Sequence, residues 1–303
     1  MIDVSVIIVN YKTSGLISNC INSIIEFTSS LDYEIIVVDN NSEKDFQQKI
    51  LGGIISKSVS NIHFIALEEN LGFGKANNEG LKIAKGRNIL FLNPDTLILN
   101  NAIKILSDFL DSRSDAGACG GNILDENQIP SFSFRRIYPG IREYLDSLLM
   151  SVPSKILFGQ NLEYNYSKKP IKVAFIVGAD LMVKYKILEE TGPFDSNFFM
   201  FFEEIELCRR IKKIGYKIFS VPEALIMHLE SKSFENGSQT NPLRLRMREE
   251  GRKIYHKLTY TGFTHHFPDT FYLLNLRLRK IISTDKKKKN YYKQKIEIFK
   301  SLS

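Results

Sequence analysis

The sequence predicts an α/β fold, with a mostly parallel central sheet and helices on both faces. Over the first 112 residues, short apolar runs alternate with segments of helical periodicity, the pattern of a helix-covered sheet. The runs VSVIIVN and YEIIVVD are almost continuously apolar and rich in β-branched residues, as in strands buried on both faces. With 303 residues and 43% hydrophobic content, the chain can form one large domain or a domain with an appendage.

The elements are predicted in order along the chain. Strands are expected at Val4–Asn10, Tyr33–Asp39, 62–67 and Asn88–Leu92, and helices at Ser14–Phe27, 45–55, 74–85 and 102–112. From about residue 115 to 170 the pattern is irregular, and no element is predicted there. Further strands are expected at 172–177, 181–183, 217–221 and 224–228, and helices at Tyr185–Thr191 and 203–214, the last ending before Gly215.

Charge divides the chain into a body, residues 1–230, and a basic helical C-terminal extension, residues 231–303. The extension holds 17 Lys+Arg against 6 Asp+Glu, whereas the body holds 24 against 28. Aromatic and aliphatic residues in 260–282 lie beside Arg277, Arg279 and Lys280, and a lysine run at 286–289 follows. This mixture favours a helix at an anionic membrane surface, with a dimerising helix, a nucleic-acid patch or a solubilising tail as alternatives.

Several classes of protein lack their usual marks. The three cysteines, Cys20, Cys119 and Cys208, are far apart, so neither a disulfide framework nor a thiolate zinc site is predicted and a reducing compartment is expected. No signal peptide and no membrane-spanning run is recognised. The P-loop, H-E-x-x-H, G-x-S-x-G and C-x-x-C motifs do not occur.

Polar side chains follow three of the early strands. Asn10 and Tyr11 end the first, Asp39 begins the D-N-N-S run after the second, and Asn93-Pro94-Asp95 follows the fourth. In open α/β sheets, ligands bind beyond the carboxyl ends of the strands. Each group alone could be a turn or a helix cap, but together they predict a binding edge.

A partial glycine motif follows the third strand. The stretch G-F-G-K-A-N begins at Gly72 like a dinucleotide-binding fingerprint but has Asn77 in place of its last glycine. That fingerprint belongs after the first strand of a βαβ unit, so the dinucleotide reading is weak.

Taken together, these motifs resemble family 2 glycosyltransferases of the GT-A fold, in the rhamnosyltransferase-like branch. The matching stretches are VSVIIVNY (4–11), IIVVDNNS (35–42), ENLGFGKANNEGL (69–81), ILFLNPDT (89–96), the run 178–218 and VPEALIMHLESKS (221–233). The resemblance implies a donor half at about 1–115 and an acceptor half at about 116–230. Residues of about 120–170 and the extension add little to it.

The resemblance implies inverting transfer of a sugar from a nucleotide-diphosphate donor, dTDP-rhamnose or a UDP-hexose, to a glycan or lipid-linked saccharide in cell-surface polysaccharide synthesis. The donor residues it implies are Val9, Asn10, Tyr11, Asp39, Asn41, Gly72, Asn77, Asn93 and Asp95, and the acceptor residues are Gly178, Asp180 and Glu203. Asp95 and His228 would hold Mg²⁺ or Mn²⁺. Because Asn93 stands where the family usually has an aspartate, Asp95 carries most of that expectation.

The resemblance also places the catalytic carboxylates in the run FFMFFEEIELCRR, residues 198–210. Helical spacing puts Glu204 on a face with Leu207, Cys208 and Ile211, whereas Glu206 can form an i,i+4 surface ion pair with Arg210. Apolar surroundings raise the pKa of a carboxyl group towards that of a usable base. Glu204 is therefore expected to be the base, one methylene longer than the family's usual aspartate, and Glu203 to orient the acceptor.

Two other functions remain open in the sequence. A nucleotidyltransferase on a related fold would need a loop rich in glycine and arginine after the first strand. The sequence there, VNYKTSGL, is not such a loop. A catalytically weak or inactive nucleotide-sugar-binding subunit of a membrane assembly would fit the unusual residues at 93 and 204. The protein is expected in the cytoplasm, peripheral on the inner face of the cell membrane through its basic extension, with homodimerisation as an option and no nucleic-acid partner.

Overall fold

The structure is a computed structural model that describes residues 2–42, 44–55, 61–229, 241–264 and 266–302. The strands within these ranges are β1 (Val4–Asn10), β2 (Tyr33–Asp39), β3 (Ile62–Ala66), β4 (Asn88–Leu92), β5 (Thr96–Ile98), β6 (Ala116–Leu124), β7 (Phe134–Arg135), β8 (Ile171–Val173), β9 (Phe175–Ile176), β10 (Asp180–Lys184) and β11 (Lys217–His228). The α-helices are α1 (Ser14–Phe27), α2 (Phe46–Gly52), α3 (Phe73–Leu81), α4 (Ala102–Asp111), α5 (Ile141–Leu148), α6 (Val152–Phe158), α7 (Tyr185–Thr191), α8 (Glu203–Lys213), α9 (Pro242–Thr259), α10 (Phe267–Ile282) and α11 (Lys286–Ser301).

One large sheet organises the body. Over the described ranges it has nine strands in the order β3-β2-β1-β4-β10-β6-β11-β5, and β8 also pairs with β11. The strands β3, β2, β1 and β4 run parallel to one another, which confirms the parallel sheet predicted for the first 112 residues. Beyond β4 the sheet is mixed, because β10 runs antiparallel to both β4 and β6, whereas β6 and β11 are parallel.

Side chains alternate between the two faces of the sheet, as strand geometry requires. From β1, Val4, Val6 and Ile8 pack into a core shared with α1, α2 and α4. Ile7 and Val9 point to the opposite core, which includes residues of α3, α7, α8 and α9. Helices on both faces explain why the predicted strands read as unbroken apolar runs.

The central strand β6 lies in the segment for which no element was predicted. Its sequence, AGACGGNIL, is poor in the branched and aromatic residues that signal a strand. Its glycines allow close packing: a Cβ added at Gly117 would lie 2.6 Å from Ile211 Cγ2, and one at Gly120 would collide with Ile176. The glycines that let β6 pack closely inside the sheet are therefore the reason that its sequence does not predict a strand.

Other differences concern boundaries. The predicted strands 217–221 and 224–228 are one strand, β11, with an irregularity between Ser220 and Leu225. The predicted strand 172–177 is interrupted at Ala174, giving β8 and β9. The helices expected at 45–55 and 74–85 are shorter, ending at Gly52 and Leu81.

The predicted extension is helical but is not an appendage. In α9, Tyr255 is fully buried in the main core, with its ring centroid 5.7 Å from that of Phe202. Helices α10 and α11 close a satellite core of Tyr144, Tyr272, Leu276 and Phe299. Residues 231–240 of the extension lie outside the described residues. None of the helices described is both long and apolar enough to cross a membrane.

Candidate active site

The ends of β1 and β2 are joined by a polar network. Asn10 Nδ2 donates to Asp39 Oδ1 at 2.6 Å, and Asn10 Oδ1 accepts from the backbone N–H and hydroxyl of Thr13. The second carboxylate oxygen of Asp39 accepts from the Ser42 N–H at 3.0 Å. Both carboxylate oxygens of Asp39 thus accept hydrogen bonds from neutral donors, which fix the side chain at this edge of the sheet.

The next residue, Asn40, fastens the loop before α3 to this edge. Its Nδ2 donates to Asn70 Oδ1 at 2.8 Å, and its Oδ1 accepts from the Leu71 N–H at 2.8 Å. The predicted donor residues Tyr11 and Asn41 are exposed beside it, whereas Val9 and Asn10 are buried. The roles of Asn40 and Asn70 were not predicted, although both belong to the motifs that carry the resemblance.

Two glycines of the partial fingerprint make room for the glutamate segment. The backbone at Gly72, which has φ of +85°, lies so close to the Phe199 carbonyl that a Cβ would collide with it. The Phe73 N–H donates to the same carbonyl at 2.8 Å. A Cβ added at Gly74 would lie 3.6 Å from Glu203 Cβ. The glycines therefore bring the start of α3 against the residues that lead into α8.

A second polar group lies where β4 ends and β11 runs past it. His228 Nε2 is 3.2 Å from Asp95 Oδ1 and 3.4 Å from Asn93 Nδ2. The structure thus brings together the two predicted metal ligands and Asn93. Over the described residues, no three His, Cys, Asp or Glu side chains meet at one point. One carboxylate, one imidazole and one amide nevertheless fit a divalent cation whose remaining ligands are phosphate and water oxygens.

Glu204 lies at the start of α8, beside Gly178. The Glu204 Cβ would be 3.7 Å from a Cβ added at Gly178, and the next residue, Ala179, accepts a hydrogen bond from the Asn93 N–H at 3.0 Å. Burial raises the pKa of Glu204 to about 7, while backbone N–H groups and Arg248 lower it. The predicted base therefore stands near the Asn93–Asp95–His228 group with a pKa suited to accepting a proton near neutrality.

Glu203 is more deeply buried than Glu204, contrary to the helical-face prediction. It is 4% exposed, and burial, followed by the charge of Glu204, raises its pKa well above the usual range. Its Oε2 is buried and accepts no hydrogen bond from the described residues. The prediction erred because α8 is covered by α3 and α7 as well as by the sheet.

The Glu206–Arg210 pair forms as predicted but is not on the surface. Arg210 Nε donates to both Glu206 carboxylate oxygens, at 2.9 and 2.7 Å, and Glu206 is buried. The Arg210 guanidinium also donates to the carbonyl oxygens of Thr191, Gly192 and Pro193. It thereby satisfies carbonyls at the end of α7 and fixes the segment that leads to the glutamates.

Two predicted contact residues lie inside the molecule. Asp180 is fully buried in β10, and its Oδ2 accepts from the Gly121 N–H at 2.5 Å, so the predicted acceptor contact has no exposed carboxylate. Burial raises its pKa well above the usual value. Asn77 is a buried residue of α3, and its Nδ2 donates to the Phe73 carbonyl one turn earlier. In this conformation neither side chain reaches the binding edge.

Helix α9 contributes arginines that were not predicted as part of the site. The guanidinium of Arg248 lies 5.0 Å from the ring centroid of Phe201, and that of Arg252 lies 4.9 Å from the ring centroid of Phe202. Phe201 and Phe202, which lead directly into Glu203, have left-handed φ values of 70° and 74°. The spacing Arg244–Arg248–Arg252, i, i+4 and i+8, was the available signal that these side chains share one helix face.

A sheet of this topology, with polar groups beyond β1, β2 and β4 and a glutamate pair at the start of α8, is that of the GT-A class of nucleotide-sugar transferases. The family model described as glycosyl transferase family 2 matches residues 5–192, and the chain belongs to that family. This match ends before α8 and β11. The family model therefore does not cover Glu203, Glu204 and His228, and their place at the site is argued from the structure.

Individual relatives agree with this assignment. A low-salt glycan biosynthesis hexosyltransferase of Haloferax volcanii is 29% identical over 228 residues, covering 71% of this chain and 64% of the relative. A dTDP-rhamnosyl transferase of Shigella flexneri is 23% identical over 212 residues, covering 69% and 64%. The matched regions thus span just under two thirds of the length of these relatives.

A solved structure of a mannosyltransferase from Pyrobaculum calidifontis, in complex with GDP-Man and Mn²⁺, is similar in fold. It superposes with a TM-score of 0.59 at 13% identity, covering 97% of this chain and 84% of that chain. At this identity the likeness shows the fold alone, and it confirms the predicted fold class.

Proposed function

We propose that the chain is an inverting glycosyltransferase that moves a sugar from a nucleoside-diphosphate donor to a hydroxyl group of a glycan or lipid-linked saccharide. The observation that carries this proposal is Glu204. Its carboxyl group has a pKa raised by burial to about 7 and lies against Gly178, which leads through Ala179 to Asn93. A base beside a diphosphate-binding edge is what sugar transfer from such a donor requires.

In the proposed reaction the acceptor hydroxyl gives its proton to Glu204 as its oxygen forms a bond to the anomeric carbon. The bond from that carbon to the diphosphate breaks, and its electron pair leaves with the nucleoside diphosphate. Glu203 remains protonated because its burial and the adjacent charge favour the neutral form. It can therefore donate a hydrogen bond, which supports the predicted role of orienting the acceptor.

The edge formed by Asn10, Asp39 and Asn40 is proposed to bind the nucleoside of the donor, and the Asn93–Asp95–His228 group its diphosphate. Asp95 and His228 would hold the Mg²⁺ or Mn²⁺ ion. When bound, such an ion supplies positive charge that offsets the charge developing on the leaving diphosphate.

The donor is proposed to be dTDP-rhamnose or a UDP-hexose. Relatives named as a dTDP-rhamnosyl transferase and as a hexosyltransferase support both. A thermal-shift panel of dTDP-, UDP- and GDP-sugars, each with and without Mn²⁺ or Mg²⁺, would distinguish them, because a ligand that binds the folded state raises the melting temperature. We expect the sugar nucleotides of one nucleobase to give a metal-dependent rise in melting temperature.

The assignment of the base is tested by measuring kcat for sugar transfer in Glu204→Gln and in the control variant Glu79→Gln. Removal of the base is expected to lower kcat by about 10² or more, the usual contribution of general-base catalysis. Glu79 is a control of the same residue type, because among the described residues its carboxylate pairs with Lys82, which follows α3. Near-normal transfer by a folded Glu204→Gln protein would refute the assignment of the base.

A nucleotide-sugar-binding subunit without transferase activity is the alternative. Asn93 favours it, because a neutral amide stands where a second carboxylate would hold the metal more strongly. Metal-dependent donor binding with neither transfer nor donor hydrolysis by the wild-type chain would support this alternative and overturn the proposed enzyme.

A further inference from the structure

An exposed apolar patch spans the turn between α5 and α6 and the end of α6. We define it by Leu149, Met150, Ile156 and Leu157, which are 60%, 78%, 82% and 73% exposed. Single exposed apolar residues are ordinary, but four within nine positions form a cluster that usually marks an interaction surface.

The turn that presents this patch is hydrogen-bonded rather than loose. The Asp146 carbonyl accepts from the Ser151 N–H at 2.8 Å, and the Asp146 Oδ1 accepts from the Ser154 N–H at 2.9 Å. Asp146 therefore ties the end of α5 to the first turn of α6. The apolar side chains point outward because the backbone holds them there.

The end of α10 lies beside this turn and adds two exposed isoleucines. Arg279 Nη2 donates to Ser147 Oγ at 2.5 Å, and Asn275 Nδ2 donates to the Tyr144 carbonyl at 3.1 Å. Ile281 and Ile282, which end α10, are both largely exposed. The rest of the apolar face of α10, including Tyr272 and Leu276, is buried against α5 and α11. The sequence suggested that a helix in 260–282 lies flat on a membrane. In the structure most of its apolar face is already buried, so α10 cannot present that whole face to lipid.

Exposed basic side chains lie close along the chain to the apolar patch and to the end of α10. Lys155 is exposed within the patch, and Arg142 is exposed on α5. Four exposed lysines, residues 286–289, begin α11 four positions after Ile282. The acid closest to the patch in sequence, Asp146, is engaged in the turn. Apolar side chains bordered by lysine and arginine match the boundary of an anionic bilayer, where acyl chains meet negative headgroups.

The same charges argue against a second copy of the chain as the occupant. A two-fold interface brings the same patch of both partners together, so it would gather the lysines of both copies at one interface. Like charges brought together oppose association, whereas an anionic surface attracts all of them.

We propose that the α5–α6 turn and the end of α10 form a peripheral membrane-binding surface for anionic phospholipid. The apolar patch inserts at the level of the headgroups, and the lysines at the start of α11 attract the surface charge. This proposal goes beyond the proposed transfer reaction, and its test does not require transferase activity.

Vesicle flotation of the full chain tests the surface, with phosphatidylglycerol–phosphatidylcholine vesicles compared with phosphatidylcholine alone. We expect wild-type protein to float with the anionic vesicles and to be released as NaCl rises from about 0.05 to about 0.5 M, because salt screens surface charge. The double substitution Ile156→Glu/Leu157→Glu is expected to lower the partition coefficient at least about tenfold, because it replaces inserted apolar surface with charge.

The matched control is Ile55→Glu/Ile129→Glu, which places the same charges at exposed isoleucines outside the patch. It should float like the wild type. The proposal is overturned if wild-type protein does not bind anionic vesicles, or if the two double variants bind equally. It is also overturned if light scattering shows a wild-type dimer that Ile156→Glu/Leu157→Glu converts to a monomer, because the patch would then bind a second copy. None of these results bears on donor binding or on Glu204.

Discussion

Adjacent Glu203 and Glu204 differ in character although they are the same residue type. Glu203 is enclosed by α3 and has no hydrogen-bond donor for its Oε2 among the described residues, so it favours the protonated form. Glu204 is partly exposed and has Arg248 and backbone N–H groups to offset its desolvation. These environments favour a neutral Glu203, which can donate a hydrogen bond, and a Glu204 carboxylate that can accept a proton. Sequence spacing alone could not distinguish the two glutamates in this way.

Arg248 is expected to set the acidic limb of the pH–rate profile. Its charge lowers the pKa of Glu204, so Arg248→Gln should raise that pKa and protonate the base at higher pH. We expect a several-fold loss of kcat at a pH of about 6 and little change at about 8.5. Arg246→Gln, on an exposed arginine of the same helix paired with Glu250, is the control. An unmoved limb in Arg248→Gln would show that the arginine acts on packing alone.

In the Asn93–Asp95–His228 group, Asn93→Asp would add a second carboxylate to the proposed metal site. Because a second negative ligand strengthens the hold on a divalent cation, we expect half-maximal activity at about three- to tenfold lower Mn²⁺ concentration. Asn127→Asp in an exposed turn adds the same charge elsewhere and should leave the titration unchanged. An identical metal titration for Asn93→Asp would mean that residue 93 does not reach the ion.

At the scale of elements, the residues that lead into α8 lie between α3 and α9. Each of these helices packs closely against them at glycine positions. Gly72 and Gly74 bring the start of α3 against Phe199 and Glu203. On the other side, Gly251 of α9 lies so close to the Phe201 carbonyl that a Cβ would collide with it. The left-handed backbone of Phe201 and Phe202 is costly for such residues, and these contacts stabilise it.

Gly251→Ala is therefore expected to displace α9 from the glutamate segment. Because the added methyl meets backbone rather than a flexible side chain, we expect a loss of about 1–3 kcal/mol of stability together with reduced kcat. Gly52→Ala, in a helix where a Cβ meets nothing within 4 Å, should be neutral or slightly stabilising. Thermal melting and transfer rates of the two variants make the comparison.

A buried histidine links α5, α9 and α10. His256 Nε2 is 2.7 Å from the Tyr144 hydroxyl and its Nδ1 is 2.6 Å from Asp269 Oδ1, while burial lowers its pKa. Since the unfolded chain then binds the proton more readily, this group should reduce stability as pH falls from its unfolded pKa of about 6.5 towards its folded value. We expect His256→Gln to flatten the melting temperature between about pH 7 and 5. A slope equal to that of the wild type would contradict this.

At the scale of the whole molecule, the sequence predicted the parts whose signals are local. The strands β1, β2 and β4 were placed at their observed ends, because buried parallel strands are continuous apolar runs. Strand β6 was missed because its glycines serve packing, and the burial of Glu203 and Asp180 was missed because it depends on elements distant in sequence. The joining of Asn93, Asp95 and His228 was expected only through the family motifs.

The basic extension completes the main core, so its removal should affect folding before anything else. A chain ending at residue 240 would lack Tyr255, which is fully buried against Phe202, and the arginines beside Phe201 and Phe202. Loss of a buried aromatic side chain alone costs about 3–5 kcal/mol. We expect circular dichroism to show a protein that is unfolded or melts far below the wild type. A truncated chain that melts normally and transfers sugar would show that α9 is dispensable.

The packing of α9 behind the glutamates also imposes an order on biosynthesis. A ribosome makes Glu204 well before it makes Tyr255, and a nascent chain folds from its N-terminal end as it emerges. The strands β1, β2 and β4 are made early, whereas the surroundings of Glu204 are completed only when α9 leaves the exit tunnel. A nascent chain that stops before α9 would therefore contain Glu204 without the helix that completes its surroundings.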